Sequence, residues 1–252
     1  MTKTQTEKGI RAAVSLFLIL ILAALFGCER TQAQMEAGKK RLETTMTENM
    51  SWDFDDISVG ELPVGWKVDA TNRKGPLATW RIINDPTSVS GGRVLAMVSP
   101  NHTSGSTFNI CWTDSVFFLD GEIEVRFKAV RGEEDQGGGI IWRVQDRDNY
   151  YIARFNPLED NFRIYYVRNG RRRTLASVRI SLPAGTWHTL KVVQHGNRFE
   201  GCLNGKRVLN GTDTVFTRPG GIGLWTKADA VTYFDDLAVR PLKKEINNNE
   251  VP

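Results

Sequence analysis

Cysteine and histidine are scarce in this chain, with three of each in 252 residues. No pair of cysteines stands at the short spacing of a zinc site. His195 falls in a Gly-Asn turn signal and His188 lies beside Trp187 on a strand-like run, so a Ser-His-Asp arrangement finds no support. No apolar run reaches the ~20 residues that span a bilayer; Ala12–Phe26 has fifteen. No sustained 3.6-residue period follows it, which argues against a helical bundle. Charge of one sign is also lacking. Lys and Arg outnumber Asp and Glu by 33 to 29, and part of that excess lies in Lys3, Lys8, Arg11 and the Lys39-Lys40-Arg41 run. The one dense basic cluster, Arg168 with Arg171, Arg172 and Arg173, surrounds the hairpin dipeptide Asn169-Gly170 and reads as a solvated turn. Nucleic acid is not an expected partner.

The N-terminus carries an export pattern. Lys3, Lys8 and Arg11 precede an apolar stretch with the length and flanks of a secretory signal. Leu25-Phe26-Gly27-Cys28 then resembles the lipobox of bacterial lipoproteins. That resemblance implies cleavage before Cys28, lipidation of Cys28 and attachment to a membrane through acyl chains. An uncleaved anchor and a signal cut near Ala33 are the alternatives, and each of them also exports the rest of the chain. Glu29, rather than Asp, follows the cysteine, which favours an outer membrane. The expected location is the cell envelope, with the domain facing the periplasm or the exterior.

The pattern after the signal divides the chain. Residues 29–51 are a polar linker, residues 52–241 form the domain, and residues 242–252, with three consecutive asparagines, are a polar tail. Within the domain, short β-branched and aromatic runs recur every ten or so residues, separated by Gly, Asn and Asp. This predicts an all-β, antiparallel two-sheet sandwich. Period-two alternation assigns faces. Ile123, Val125 and Phe127 oppose Glu122, Glu124 and Arg126; Ile140, Trp142 and Val144 oppose Ile141, Arg143 and Gln145. Tyr151, Ala153 and Phe155 oppose Tyr150, Ile152 and Arg154, and Phe162, Ile164 and Tyr166 oppose Arg163 and Tyr165. Such alternation predicts one face in the core and one in water. Cys111 and Cys202 both lie in strand-like runs. Export permits a disulfide between them, and two buried free thiols fit equally well.

Several segments carry a family resemblance. Gly138-Gly139-Ile140-Ile141-Trp142-Arg143, Asp146 to Tyr151, Pro183 to His188, Leu203 to Lys206, Gly221 to Trp225 and Tyr233 to Asp236 resemble concanavalin A-like lectin/glucanase domains. They are most similar to the laminin-G-like and 3-keto-disaccharide-hydrolase-type branch. The resemblance covers about Trp52 to Arg240 and implies a jelly roll with a concave face that often receives sugar. Family 16 glycoside hydrolases set catalytic acids on one strand as Glu-x-Asp-x-x-Glu. Here the nearest segment is Glu122-Ile123-Glu124-Val125-Arg126-Phe127, with Phe127 in the place of the last acid, so that mechanism is not expected.

The expected site is therefore a ligand-binding face, with no catalytic residue assigned. If consecutive strands are neighbours, Glu124, Arg126, Arg143, Arg154, Arg163 and Tyr165 share one polar sheet surface. Tyr150 lies on the Arg154 side and Trp112 at a strand end. Asp55-Asp56 and Asp235-Asp236, near the two ends of the domain, are candidate Ca²⁺ ligands or else edge residues. The function expected is a non-catalytic carbohydrate-binding or surface-interaction module, with a glycan or another envelope component as partner. The alternatives are a hydrolase of the 3-keto-disaccharide type and a structural envelope lipoprotein without a small-molecule ligand.

Overall fold

A computed structural model describes residues 48–242. The signal, Cys28, most of the linker and the tail lie outside the described residues. Fifteen strands follow one another: β1 (Met50–Trp52), β2 (Trp66–Thr71), β3 (Thr79–Asn84), β4 (Arg93–Ser99), β5 (Phe108–Phe118), β6 (Gly121–Arg131), β7 (Gly138–Asp146), β8 (Asn149–Asn156), β9 (Asn161–Arg168), β10 (Arg171–Arg179), β11 (Trp187–His195), β12 (Arg198–Leu203), β13 (Lys206–Thr212), β14 (Gly220–Lys227) and β15 (Val231–Pro241). They form two antiparallel sheets in a jelly-roll-like sandwich. One is eight-stranded, ordered β13-β12-β11-β6-β15-β4-β3 with β1 added on β15; the other is seven-stranded, ordered β10-β9-β8-β7-β14-β5-β2. Because Met50–Trp52 pair with Leu237–Val239, the sandwich begins within the stretch expected to be linker.

The inward sets of the alternating strands meet between the sheets. Ile123, Val125 and Phe127 of β6 pack there with Ile140 and Trp142 of β7, Tyr151 and Phe155 of β8, and Phe162 and Ile164 of β9. Trp142 is fully buried, stacks on Tyr151 at 5.4 Å and donates its Nε1–H to Gln194 at 2.9 Å.

The expectation of a water-facing second side fails for the seven-stranded sheet. Its outer face carries a second buried cluster, including Phe108, Ile110, Trp112, Ile141, Tyr150, Ile152, Tyr165, Val167 and Trp225. The two edges of this sheet approach each other over that face. Asn72, just past edge strand β2, donates to the carbonyl of Gly170 in the β9–β10 turn at 2.9 Å. Arg172, on the opposite edge strand β10, puts its guanidinium carbon 5.1 Å from the Phe108 ring centre on β5. In a flat sheet those strands would stand five spacings, about 24 Å, apart. The sheet is therefore strongly curled, and its concave side is filled.

Cys111 and Cys202 are both free and buried, so the bridged alternative does not hold. Cys111 lies on β5, whereas the glycine beside Cys202 packs on Phe162 and Ile164 of β9. The two thiols therefore belong to different sheets, Cys202 standing on β12 of the eight-stranded one.

Candidate functional site

Polar side chains gather at the end of the concave face where β8, β9 and β14 meet the β6–β7 loop. Arg154 and Arg163 are register partners on β8 and β9, and Gly139 faces Arg154 from β7. Gly139 has no substitute here, since a Cβ would lie 1.9 Å from the carbonyl oxygen of Ala153. Glu159, in the β8–β9 turn, accepts from Arg154 Nη2 and Arg163 Nη1 at 3.2 Å each and from Asn161 Nδ2 at 2.9 Å. Burial pushes the Glu159 carboxyl up, but the Asn161 amide and Arg154 outweigh it and hold the group below the usual carboxylate range.

Asp135 reaches the same place from the β6–β7 loop. The Asp229 carboxylate ties that loop down by accepting the amides of Glu133, Glu134 and Asp135 at 2.7–3.2 Å. Gly132 makes the turn with φ of 155°, where a Cβ would lie 1.8 Å from the Asp135 carbonyl oxygen. The Asp135 side chain is fully buried. Its Oδ1 accepts the Gly137 amide at 2.8 Å, while Lys227 Nζ stands 3.8 Å from Oδ2. Burial raises the Asp135 carboxyl above its ordinary range, against the pull of Arg154, the Gly137 amide and Lys227.

Seven buried polar atoms on this side of the sheet have no hydrogen-bond partner: Asp135 Oδ2, Arg154 Nε, Asn156 Nδ2, Arg172 Nη1, the Tyr165 hydroxyl and the indole Nε1 of Trp112 and Trp225. Buried polar groups are normally satisfied, because each one left bare costs about 1–3 kcal/mol. Asp135, Arg154, Asn156 and Arg172 bring four of these atoms to the polar end of the face. Beneath them, Tyr165, Phe108 and Trp225 form an aromatic floor, with the Arg172 guanidinium 4.5, 5.1 and 5.8 Å from their respective ring centres.

The residues expected to share one surface are divided. Arg154, Arg163, Tyr165, Tyr150 and Trp112 do lie on one face of the seven-stranded sheet. Tyr150, however, is sealed beneath Thr71, to whose hydroxyl its own is hydrogen-bonded at 2.6 Å. Lys67 covers Trp112, 3.9 Å above its ring centre. Glu124 and Arg126 belong to β6 in the other sheet, beside Lys191 and Thr189 of β11, and take no part in this site. The neighbour assumption fails because β6 and β7 fall in different sheets.

Arg143 is removed from the face by a bulge. It has φ of +48°, and the register slips on both sides of β7 at this point. The alternation changes phase there: Ile140 and Trp142 point inward, but Val144 joins Ile141 on the outer face. The buried Arg143 side chain instead ties loops together. Its Nε donates to the Leu119 carbonyl at 2.9 Å and Nη1 to that of Phe216 at 2.6 Å. Nη2 donates to Asp120 Oδ1 at 3.1 Å and to the Gly196 carbonyl at 2.8 Å.

The candidate calcium ligands are engaged within the chain or crowded by one another: burial, then Asp235, raises the Asp236 carboxyl, with Asp53 and Asp55 also near. Asp235 Oδ2 accepts the Val89 amide at 3.0 Å and Oδ1 the Ser90 hydroxyl at 3.0 Å, and Asp55 Oδ1 accepts the Arg93 amide at 3.1 Å. Asp56 is exposed. Among the described residues no group of three or more His, Cys, Asp or Glu side chains could hold a metal ion.

Asp135, Asn156, Glu159, Arg172 and Lys227 escaped the sequence reading. A signal did exist for Asp135, since Glu133-Glu134-Asp135 stands between Gly132 and the Gly137–Gly139 run. For Arg172 the signal was its place between Arg171 and Arg173, which are both exposed while Arg172 turns inward.

The profile of the family described as a 3-keto-alpha-glucoside-1,2-lyase-like domain matches residues 60–240. No curated protein sequence matches the chain. Among solved structures, the carbohydrate-binding module CBM66 from Bacillus subtilis is 21% identical, with 70% of this chain and 96% of that one covered at a TM-score of 0.54. A β-glucanase of Bacillus licheniformis is 16% identical, with 79% and 100% covered and a TM-score of 0.54. The cellulose-induced protein Cip1 is 16% identical, with 77% and 97% covered and a TM-score of 0.53. These likenesses establish the shared fold.

Proposed function

This chain belongs to the 3-keto-alpha-glucoside-1,2-lyase-like family, and on that premise we propose that the Asp135–Arg154–Arg163–Lys227 end of the concave sheet face binds a carbohydrate. The observation that carries this reading is the gathering of Asp135 Oδ2, Arg154 Nε, Asn156 Nδ2 and Arg172 Nη1, all buried and without a hydrogen-bond partner. They supply both acceptor and donors, the mixture that a ring of hydroxyls satisfies. The sugar-binding module and the glucanase that share the fold support the same ligand class. Calorimetric titration of the protein across a panel of oligosaccharides tests it. Binding that is lost in Lys227→Met and in Asn156→Leu, with the melting midpoint of Asn156→Leu retained, is the expected result. Binding unaffected by either change would remove this end of the face from consideration.

A second reading rests on Asp135. The family description names a 1,2-lyase acting on 3-keto-glucosides. In such a sugar the ketone acidifies the neighbouring C2–H bond. Removal of that proton by a carboxylate lets the C1–O glycosidic bond break, with the electron pair leaving on the oxygen. A carboxyl raised by burial is a stronger base than an ordinary aspartate once ionised, and Arg154 and Lys227 beside it favour developing negative charge. Asp135→Asn would then abolish turnover of a 3-keto-glucoside while leaving its binding in place.

We also propose that Cys28 is lipidated and holds the domain at a membrane of the cell envelope, as the Leu25–Cys28 pattern supports.

A further inference from the structure

Arg172 is the least answered charge at this site. Its guanidinium is largely withdrawn from water, and burial lowers its pKa, opposed by Tyr165. The neighbouring carboxylates are already engaged, Glu159 by Arg154 and Arg163 and Asp135 by Lys227. Among the described residues no hydrogen-bond acceptor reaches Arg172 Nη1. Three aromatic faces hold the cation, with Asp135 and Glu159 acting on it only from a distance, and together they compensate only part of what water would supply.

A second arginine stands beside it. The guanidinium carbons of Arg154 and Arg172 lie 5.9 and 4.5 Å from the centre of the same Tyr165 ring. Arg154 is 1% exposed, and although Glu159 and Asn161 take its Nη2 and Nη1, its Nε–H points to no acceptor. A buried and a half-buried guanidinium sharing one ring repel each other unless negative charge comes between them. Each offers one unsatisfied N–H, a pair of donors that matches the two oxygens of a carboxylate.

We infer that the carbohydrate bound here is an acidic sugar, and that its carboxylate is received by Arg172 Nη1 and Arg154 Nε above the Tyr165 ring. The inference rests on the carbohydrate-binding reading of this site and narrows its substrate class to uronic acids. A neutral sugar would satisfy the donors through hydroxyls but would bring no negative charge of its own to Arg172.

The test compares oligosaccharides of glucuronate, galacturonate and mannuronate with the same oligosaccharides after carboxyl reduction to neutral hexoses. Each is titrated into the wild-type protein and into Arg172→Met, whose thioether suits the aromatic floor. At least one uronate should bind tenfold or more tightly than its reduced counterpart, and Arg172→Met should erase that preference. The melting midpoint of the variant should not fall, since an unpaired buried charge has been removed. Equal affinity for acidic and reduced forms would overturn the acidic-sugar inference while leaving carbohydrate binding intact. A uronate preference that survives in Arg172→Met would overturn the assignment to this arginine. If no sugar binds in either form, the carbohydrate reading itself fails.

Discussion

Arg143 offers the sharpest test of how the fold is held at the end of the sandwich opposite the Asp135 rim. Its side chain is 2% exposed and makes four hydrogen bonds, three to carbonyl oxygens of different loops and one to the Asp120 carboxylate. Asp120 Oδ1 in turn accepts the Gly196 amide at 2.7 Å, so the arginine and the carboxylate jointly fasten the β11–β12 turn. Removing one partner of a buried pair costs about 3–5 kcal/mol, because the groups left behind lose their compensation. Hydrogen bonds from a charged donor contribute about 1.5–3 kcal/mol each but are not additive within one cluster. Arg143→Ala should therefore lose about 4 kcal/mol, a fall of about 10–15 °C in melting midpoint for a domain of this size. Arg143→Lys should recover little of it, since one ammonium cannot reach carbonyls spread over three loops. Arg163→Ala, with its guanidinium at the surface, is the control and should shift stability by under about 1 kcal/mol. Calorimetric melting and guanidinium denaturation of the three variants supply the measurement. A midpoint for Arg143→Ala within 2 °C of wild type would refute the reasoning, and loss of ligand affinity at unchanged stability would return Arg143 to the binding site.

Trp142→Ala should destabilise the domain by about 5 kcal/mol, the upper part of the range for a buried aromatic, because Gln194 Oε1 loses its donor as well. Trp142→Phe isolates the hydrogen bond and should lose only about 1–3 kcal/mol in denaturant titrations. At Asp135 the folded-state pKa is raised, so the fold disfavours ionisation, and the resulting penalty appears as pH rises through the folded value. Asp135→Asn should accordingly melt above the wild type at pH 7, with the gap closing as pH falls toward about 4; a gap independent of pH would contradict the raised pKa. Cys28→Ala should move the protein out of the detergent phase in a partitioning assay. Continued partitioning would point to an uncleaved apolar anchor instead.

The strand faces of β8 and β9 could be read directly. Tyr151, Ala153 and Phe155 and their partners Phe162, Ile164 and Tyr166 alternate without interruption, and the structure places Arg154, Arg163 and Tyr165 together opposite them. The same reading failed one strand earlier. Alternation predicts phase only while the register is unbroken, and the bulge at Arg143 shifts it by one residue. Nothing local announces that slip, since an arginine with positive φ is tolerated only because loops from elsewhere in the chain supply its acceptors.

Local pattern therefore determined the all-β class, the jelly-roll resemblance and the inward residues of each regular strand, because period-two burial depends on neighbours one and two residues away. Which strands share a sheet was decided only in three dimensions, and with it the separation of Glu124 and Arg126 from Arg154 and Arg163. The curl of the seven-stranded sheet was decided there too. It brings Arg172 of one edge onto Phe108 near the other and buries a face that alternation alone assigns to water. Asp135, Arg154, Arg172 and Lys227 come from one loop and three strands, and their charges act on one another only after folding has excluded the water between them.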